Sequence, residues 1–229
     1  MKIYSKLFKA FCPIQCILCD LTAENDQQIC EDCYQTLPIT ENRCKQCGIP
    51  TQLDNSVCGA CLMTPPHFDC THILFNYEKP MTQLITHYKF YEKLSLSDFF
   101  ATQWIGFFKK NTLELPNVII PIPLHNKRLQ KRGFNQALEI AKPVGKYFQI
   151  PVDAKSCVRI KNTEAQLALS AEKRQHNIKN AFALSKKIVA THAAIFDDVM
   201  TTGSTVGELS RVLKKTGVQK ISVFCCARV

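Results

Sequence analysis

The stretch "AAIFDDVMTTGSTVGELSRVL" (residues 193–213) decides the fold. Its apolar run ends in two adjacent carboxylates, Asp197 and Asp198, and Thr201, Thr202, Gly203, Ser204 and Thr205 follow almost at once. The run has the length of a buried strand, and Val206, Leu209 and Leu213 then recur at helical spacing. Strand, polar turn and helix in that order form a unit of a parallel α/β sheet, in which ligands bind beyond the carboxyl ends of the strands. Backbone N–H groups and hydroxyls of the turn converge at the positive end of the helix, which makes a phosphate cradle, and Gly203 lets the backbone come close. Two neighbouring carboxylates at a strand end are costly without a ligand, metal or cation beside them. There is no G-x-x-x-x-G-K-[ST], so no Walker lysine holds a triphosphate. An acid doublet beside a monophosphate nest suits a sugar phosphate instead, the acids accepting from its hydroxyls.

Outward from this stretch the pattern alternates. "HILFNY" (72–77), "NVIIPI" (117–122), "HAAIFDD" (192–198) and "KISVFCCA" (220–227) read as strands. Helices are expected over 81–92, 95–110 and 204–217, and Asn135 should cap another through "QALEIAKPVGKYF", which Pro143 should kink or end. The expected fold class is therefore α/β with a mostly parallel sheet. Length allows one ordinary domain plus a small appendage. The turn-rich "LMTPPHFDCTH" (62–72) puts the boundary near 70, giving a module at 1–70 and an α/β domain at 71–229.

The small module is defined by its cysteines. Eight of the chain's 13 form four C-x-x-C pairs, Cys16/Cys19, Cys30/Cys33, Cys44/Cys47 and Cys58/Cys61, starting every 14 residues. A tight turn points both sulfurs of a pair the same way, and two pairs complete a four-thiolate shell for zinc. A segment this short buries little apolar surface, so the metal must supply its folding energy, about 10 to 16 kcal/mol per zinc site in peptides. Iron in a rubredoxin-like site uses the same ligands. Equal spacing permits consecutive or interleaved pairing, and consecutive ribbons are the expectation. Cys12, Cys70, Cys157, Cys225 and Cys226 lack partners at ligand spacing and read as buried free thiols.

The net charge of +10 is divided unevenly, −3 over residues 1–70 and +13 over the remainder. A field of that sign favours polyanions such as nucleic acid, nucleotides or pyrophosphate. The longest apolar stretch, "LSLSDFFATQWIGFF", contains Asp98, and the basic N-terminus lacks a signal-type apolar core. A cytoplasmic protein is expected. Residues 1–11 could form a short helix with Ile3, Leu7, Phe8 and Phe11 on one side, packing on the domain or docking peripherally at the inner membrane face.

At this point the residues carry a resemblance. "IFDDVMTTGST" resembles the phosphoribosyl pyrophosphate (PRPP) signature of type I phosphoribosyltransferases. "IPIPLHNKRLQKRGFNQA" (120–137), "RIKNTEAQLALSAEKRQHNIKNAF" (159–182) and the four cysteine pairs together resemble the ComF family of competence proteins. The resemblance implies that Asp197 and Asp198 contact the ribose 2- and 3-hydroxyls, that 201–205 hold the 5-phosphate, and that Mg2+ bridges ribose and pyrophosphate. It also implies that the loop after "PIPLH" meets the pyrophosphate. There Lys127, Arg128, Lys131 and Arg132 lie at helical spacing and put four cations on adjoining surface. The 159–182 segment resembles the lid that closes over PRPP, and "THYKFYEK" (86–93) has a composition that stacks bases and holds phosphates of single strands.

Three functions follow as expectations. One is competence-related handling of single-stranded DNA beside other DNA-uptake proteins, with PRPP as a ligand. Another is an active Mg2+-dependent phosphoribosyltransferase with a nitrogen acceptor, for which the sequence offers no acceptor pocket and no catalytic side chain. The third is a metal-stabilised scaffold that recruits partners through its acidic N-terminal module.

Overall fold

The computed structural model describes residues 14–23, 28–52, 56–90, 94–162 and 178–229. The expected helix at 1–11, Cys12, Tyr91, Lys93 and most of the lid segment (163–177) lie outside them. Two short helices, α1 (Glu31–Gln35) and α2 (Gly59–Met63), belong to the cysteine-rich part. The remainder runs β1 (Cys70–Asn76), α3 (Met81–Phe90), α4 (Ser95–Asn111), β2 (Val118–Pro121), α5 (Asn126–Arg132), α6 (Gln136–Phe148), β3 (Cys157–Arg159), β4 (Phe182–Leu184), β5 (His192–Met200), α7 (Ser204–Lys214) and β6 (Lys220–Arg228).

The mostly parallel sheet is present as four strands in the order β1-β6-β5-β2, with every pairing parallel. Alternate residues of each strand point to opposite faces, so two apolar layers form. On one face Leu74, Ile119, Ala194, Phe196 and Phe224 meet α3, α4 and α6. On the other Ile73, Ile120, Ile195, Ile221 and Val223 meet α7 and the β3–β4 pair. Helix α4 buries Leu96, Phe100, Trp104 and Phe108, a four-residue spacing that makes one stripe. Trp104 lies against Phe196 and Phe224 with ring centroids 5.5 and 5.2 Å apart.

One expectation needs correction. Pro143 neither ends nor divides α6, which is helical from Gln136 to Phe148 because Ile140, Ala141 and Val144 are fully buried on either side of the proline. The antiparallel pair β3–β4 was not foreseen, since its three-residue strands carry no legible alternation.

The cysteine-rich part is built on a 28-residue structural period rather than on 14. Cys16 and Cys44 each open a hairpin knuckle, closed by Cys16 N–H to Leu21 O (2.7 Å) and Cys44 N–H to Ile49 O (2.8 Å). Cys30 and Cys58 each cap a short helix. The left-handed turn position is Asp20 in the first unit and Gly48 in the second. The first unit lies on α4, where Tyr34 Oη donates to Gln103 Oε1 (2.8 Å) and Ser95 Oγ to Gln28 Oε1 (2.9 Å). The second lies along β1: Thr71 N–H donates to Lys45 O (2.8 Å) and Asn76 N–H to Pro38 O (2.7 Å).

Candidate functional site

The sulfurs of Cys16, Cys19, Cys30 and Cys33 lie within 4.8 Å of one another, as do those of Cys44, Cys47, Cys58 and Cys61. The sets are consecutive, not interleaved. Cys19 and Cys30 sulfurs are 3.7 Å apart, and those of Cys47 and Cys58 are 3.6 Å apart. A tetrahedron with about 2.3 Å Zn–S bonds has S–S separations of about 3.8 Å, which these two pairs match, so both sets suit zinc. Burial works to raise the Cys16 and Cys44 thiols, but backbone N–H donors outweigh it and bring them down to about 7 and about 6. Amides aimed at sulfur are what a thiolate ligand needs. With all four positions filled by protein, such an ion organises structure and leaves no place for substrate.

The acid doublet lies near the carboxyl end of β5. Because neighbours on a strand point oppositely, the two carboxylates straddle the sheet. Asp198, 9% exposed, falls on the face of α3 and meets Lys89 Nζ at 2.9 Å. Burial pushes its carboxyl up, yet the Lys89 ammonium more than offsets this and holds it below the ordinary range. Asp197, on the other face, is raised to about 8 by burial first and then by the charge of Asp198. The cation that a buried doublet demands is therefore Lys89, which sequence reasoning placed only in a base-stacking stretch. Within that stretch the helical period turns Tyr88 into the core, where Tyr88 Oη donates to Gln136 O (2.9 Å), and leaves Phe90 exposed.

Of the four cations expected on α5, the structure turns Arg128 and Arg132 inward to half-burial and leaves Lys127 and Lys131 exposed. Burial and then the charge of Arg128 pull Arg132 below its usual pKa, against the attraction of Asp198. Arg132 Nη1 donates to Gln136 Oε1 (2.9 Å), and its guanidinium stacks 5.6 Å from the Phe90 ring centre. Arg159 at the end of β3 is lowered in the same way, by burial and then Arg128, against the attraction of Asp197. Lys89 and Arg132 thus act on Asp198 and Arg159 acts on Asp197, while Arg128 adds positive charge beside both arginines. Arg159 was legible only as part of a lid, because nothing local says that β3 folds back toward β5. Gly133 (φ 78°) ends α5, and Asn135 caps α6 by accepting from Leu138 N–H (3.3 Å) while donating to Ile122 O (3.0 Å). These contacts fix α5 above the end of β2.

After β5 the chain turns through Thr201 and Thr202, both exposed, to Gly203 at the N-cap of α7 with φ 79°. The positive φ favours glycine at 203, where a Cβ would also displace the flexible end of Met200, 2.7 Å away. Thr202 Oγ1 and Ser204 Oγ are 2.6 Å apart, and Ser204 N–H donates to Thr202 Oγ1 (3.3 Å). With Thr205 beginning the first turn, the loop gathers hydroxyls and amides at the positive end of an 11-residue helix. A cavity of about 780 Å³ opens beside Gly203 and Ser204.

Residues 7–62 match the double zinc ribbon domain. The chain is 33% identical to "DNA utilization protein YhgH" of Shigella flexneri over 94% of this chain and 97% of that one. It is 35% identical to "Competence protein F" of Haemophilus influenzae over 81% and 84%. Among solved structures, a purine phosphoribosyltransferase from Pyrococcus horikoshii is similar at a TM-score of 0.34 and 15% identity, over 58% of this chain and 81% of that one. With a third of its residues identical over nearly the full length of these relatives, the chain belongs to the ComF family of competence and DNA utilization proteins.

Proposed function

We propose that the protein serves in DNA uptake and utilization, handling single-stranded DNA, and that its α/β domain binds PRPP with Mg2+. The names of its relatives support the process. One observation supports the ligand: Asp197 and Asp198 stand between the loop 201–205 and the cations Arg132 and Arg159, with Arg128 beside those two arginines. Two anion receptors beside a pair of hydroxyl acceptors match a pentose bearing a phosphate at one end and a pyrophosphate at the other. In this reading the loop holds the 5-phosphate, the carboxylates accept from the ribose hydroxyls, and the guanidiniums with Mg2+ neutralise the pyrophosphate.

Calorimetry with PRPP and MgCl2 tests the ligand. Affinity should vanish in the Asp197→Ala/Asp198→Ala variant, and affinity that survives would overturn this site. Single-stranded DNA should bind with a steep inverse dependence on salt; no binding at low salt would remove direct DNA handling. A second reading is an active phosphoribosyltransferase with a nitrogen acceptor. Pyrophosphate release in the presence of bases, amines and oligonucleotides distinguishes it from binding alone.

A further inference from the structure

The last side chain of β6 ties the second cysteine cluster to the phosphate loop. Arg228 is 9% exposed, and its Nε donates to Cys47 O (3.1 Å). Its Nη1 donates to Met200 O (3.3 Å), to Thr201 O and to Val229 O. Met200 pairs with Arg228 in the β5–β6 register, and its Cε underlies Gly203. One guanidinium therefore bridges a ligand-bearing turn of the cluster and the two carbonyls from which the loop departs. Cys47, Cys58 and Cys61 on one side and Thr202, Gly203 and Ser204 on the other line the same cavity. Four thiolates on Zn2+ carry a net charge of about −2, which a buried guanidinium at the cluster complements. Arg43 adds a second, donating to Gly48 O (2.9 Å). The first cluster is docked on α4 by Tyr34 and Gln28.

We propose that Arg228 is a strut through which metal in the second cluster holds residues 200–203 in their phosphate-binding shape, so that ligand binding there depends on the second cluster and not on the first. Arg228 is a positioning residue, and only the ligand readout of the test rests on the PRPP reading.

The test uses the full zinc-loaded chain and Arg228→Met, Arg228→Lys, Cys61→Ser and Cys33→Ser. Zinc is counted by native mass spectrometry, amide exchange is followed over 199–205, and PRPP with Mg2+ is titrated by calorimetry. Arg228→Met should keep both ions, exchange faster over 199–205, and bind PRPP about five- to tenfold more weakly. Cys61→Ser should reproduce the faster exchange, and Cys33→Ser should not. Unchanged exchange in a zinc-replete Arg228→Met, or an equal rise in Cys33→Ser, would overturn the strut. Should Arg228→Met fail to fold, Arg228→Lys, which keeps the charge and loses the fork, decides on the same exchange readout. If the wild type binds no PRPP, the ligand reading fails while the exchange data still decide the strut.

Discussion

Asp197 keeps a proton that an unfolded aspartate would have lost. Its carboxyl is held at about 8, whereas the unfolded side chain titrates near its ordinary value. Between about pH 4 and pH 8 the native state binds more protons than the unfolded one, so stability falls as pH rises through that window. Asp197→Asn should therefore raise the melting temperature more at about pH 8 than at about pH 5, which thermal unfolding at the two pH values measures. His72, stacked on Phe224 at 5.1 Å, has the opposite sign: burial lowers it to about 4. Its neutral form is lost to the unfolded state as pH falls from about 6.5 toward 4, and His72→Gln should flatten that acid limb of the stability curve. Lys89→Met strands Asp198 without its partner and should cost about 3 to 5 kcal/mol in denaturant unfolding, most of it recovered by adding Asp198→Asn. The doublet was legible in the sequence because two acids at a strand end are a local anomaly. Lys89 was not, because its role depends on where α3 ends in space relative to β5.

The elements were legible where burial has a period. Strands β1, β2, β5 and β6 and helices α3, α4 and α7 fall within a few residues of their expected spans, since each alternates or repeats its apolar side chains. Helix α6 resisted its proline through packing that spacing alone does not reveal. Packing also reverses an ordinary expectation at Gly145. Glycine inside a helix is usually improved by alanine, yet here a Cβ would lie 2.7 Å from Ile150 O and 2.5 Å from Val152 Cγ2. Gly145→Ala should thus destabilise by about 1 to 3 kcal/mol, whereas Gly106→Ala on α4, where a Cβ meets nothing within 4 Å, should not. The cysteine spacing of 14 was visible, but its resolution into 28-residue units was not, because a hairpin knuckle and a helix-capping knuckle share one motif.

Across the whole molecule, the two four-cysteine units are anchored differently. Cys16, Ala23, Ile29 and Leu37 of the first join the same apolar layer as Trp104 and Phe224. The division of charge, −3 over residues 1–70 and +13 beyond, was plain in the sequence, as were the four cysteine pairs of the small module. The way the module meets the sheet was not, for it rests on contacts between residues far apart in the chain, such as Arg228 with Cys47.

Among the described residues β1 ends the sheet, and on its outer side residues 38 to 45 satisfy its backbone at Thr71 and Asn76. Stripping the metal would loosen that cover and bare an apolar template, "THILFN", to which a second unfolded chain can add by strand pairing. Chelation should accordingly produce light scattering that grows faster at higher protein concentration. In that sense the metal also acts as a guard against self-association.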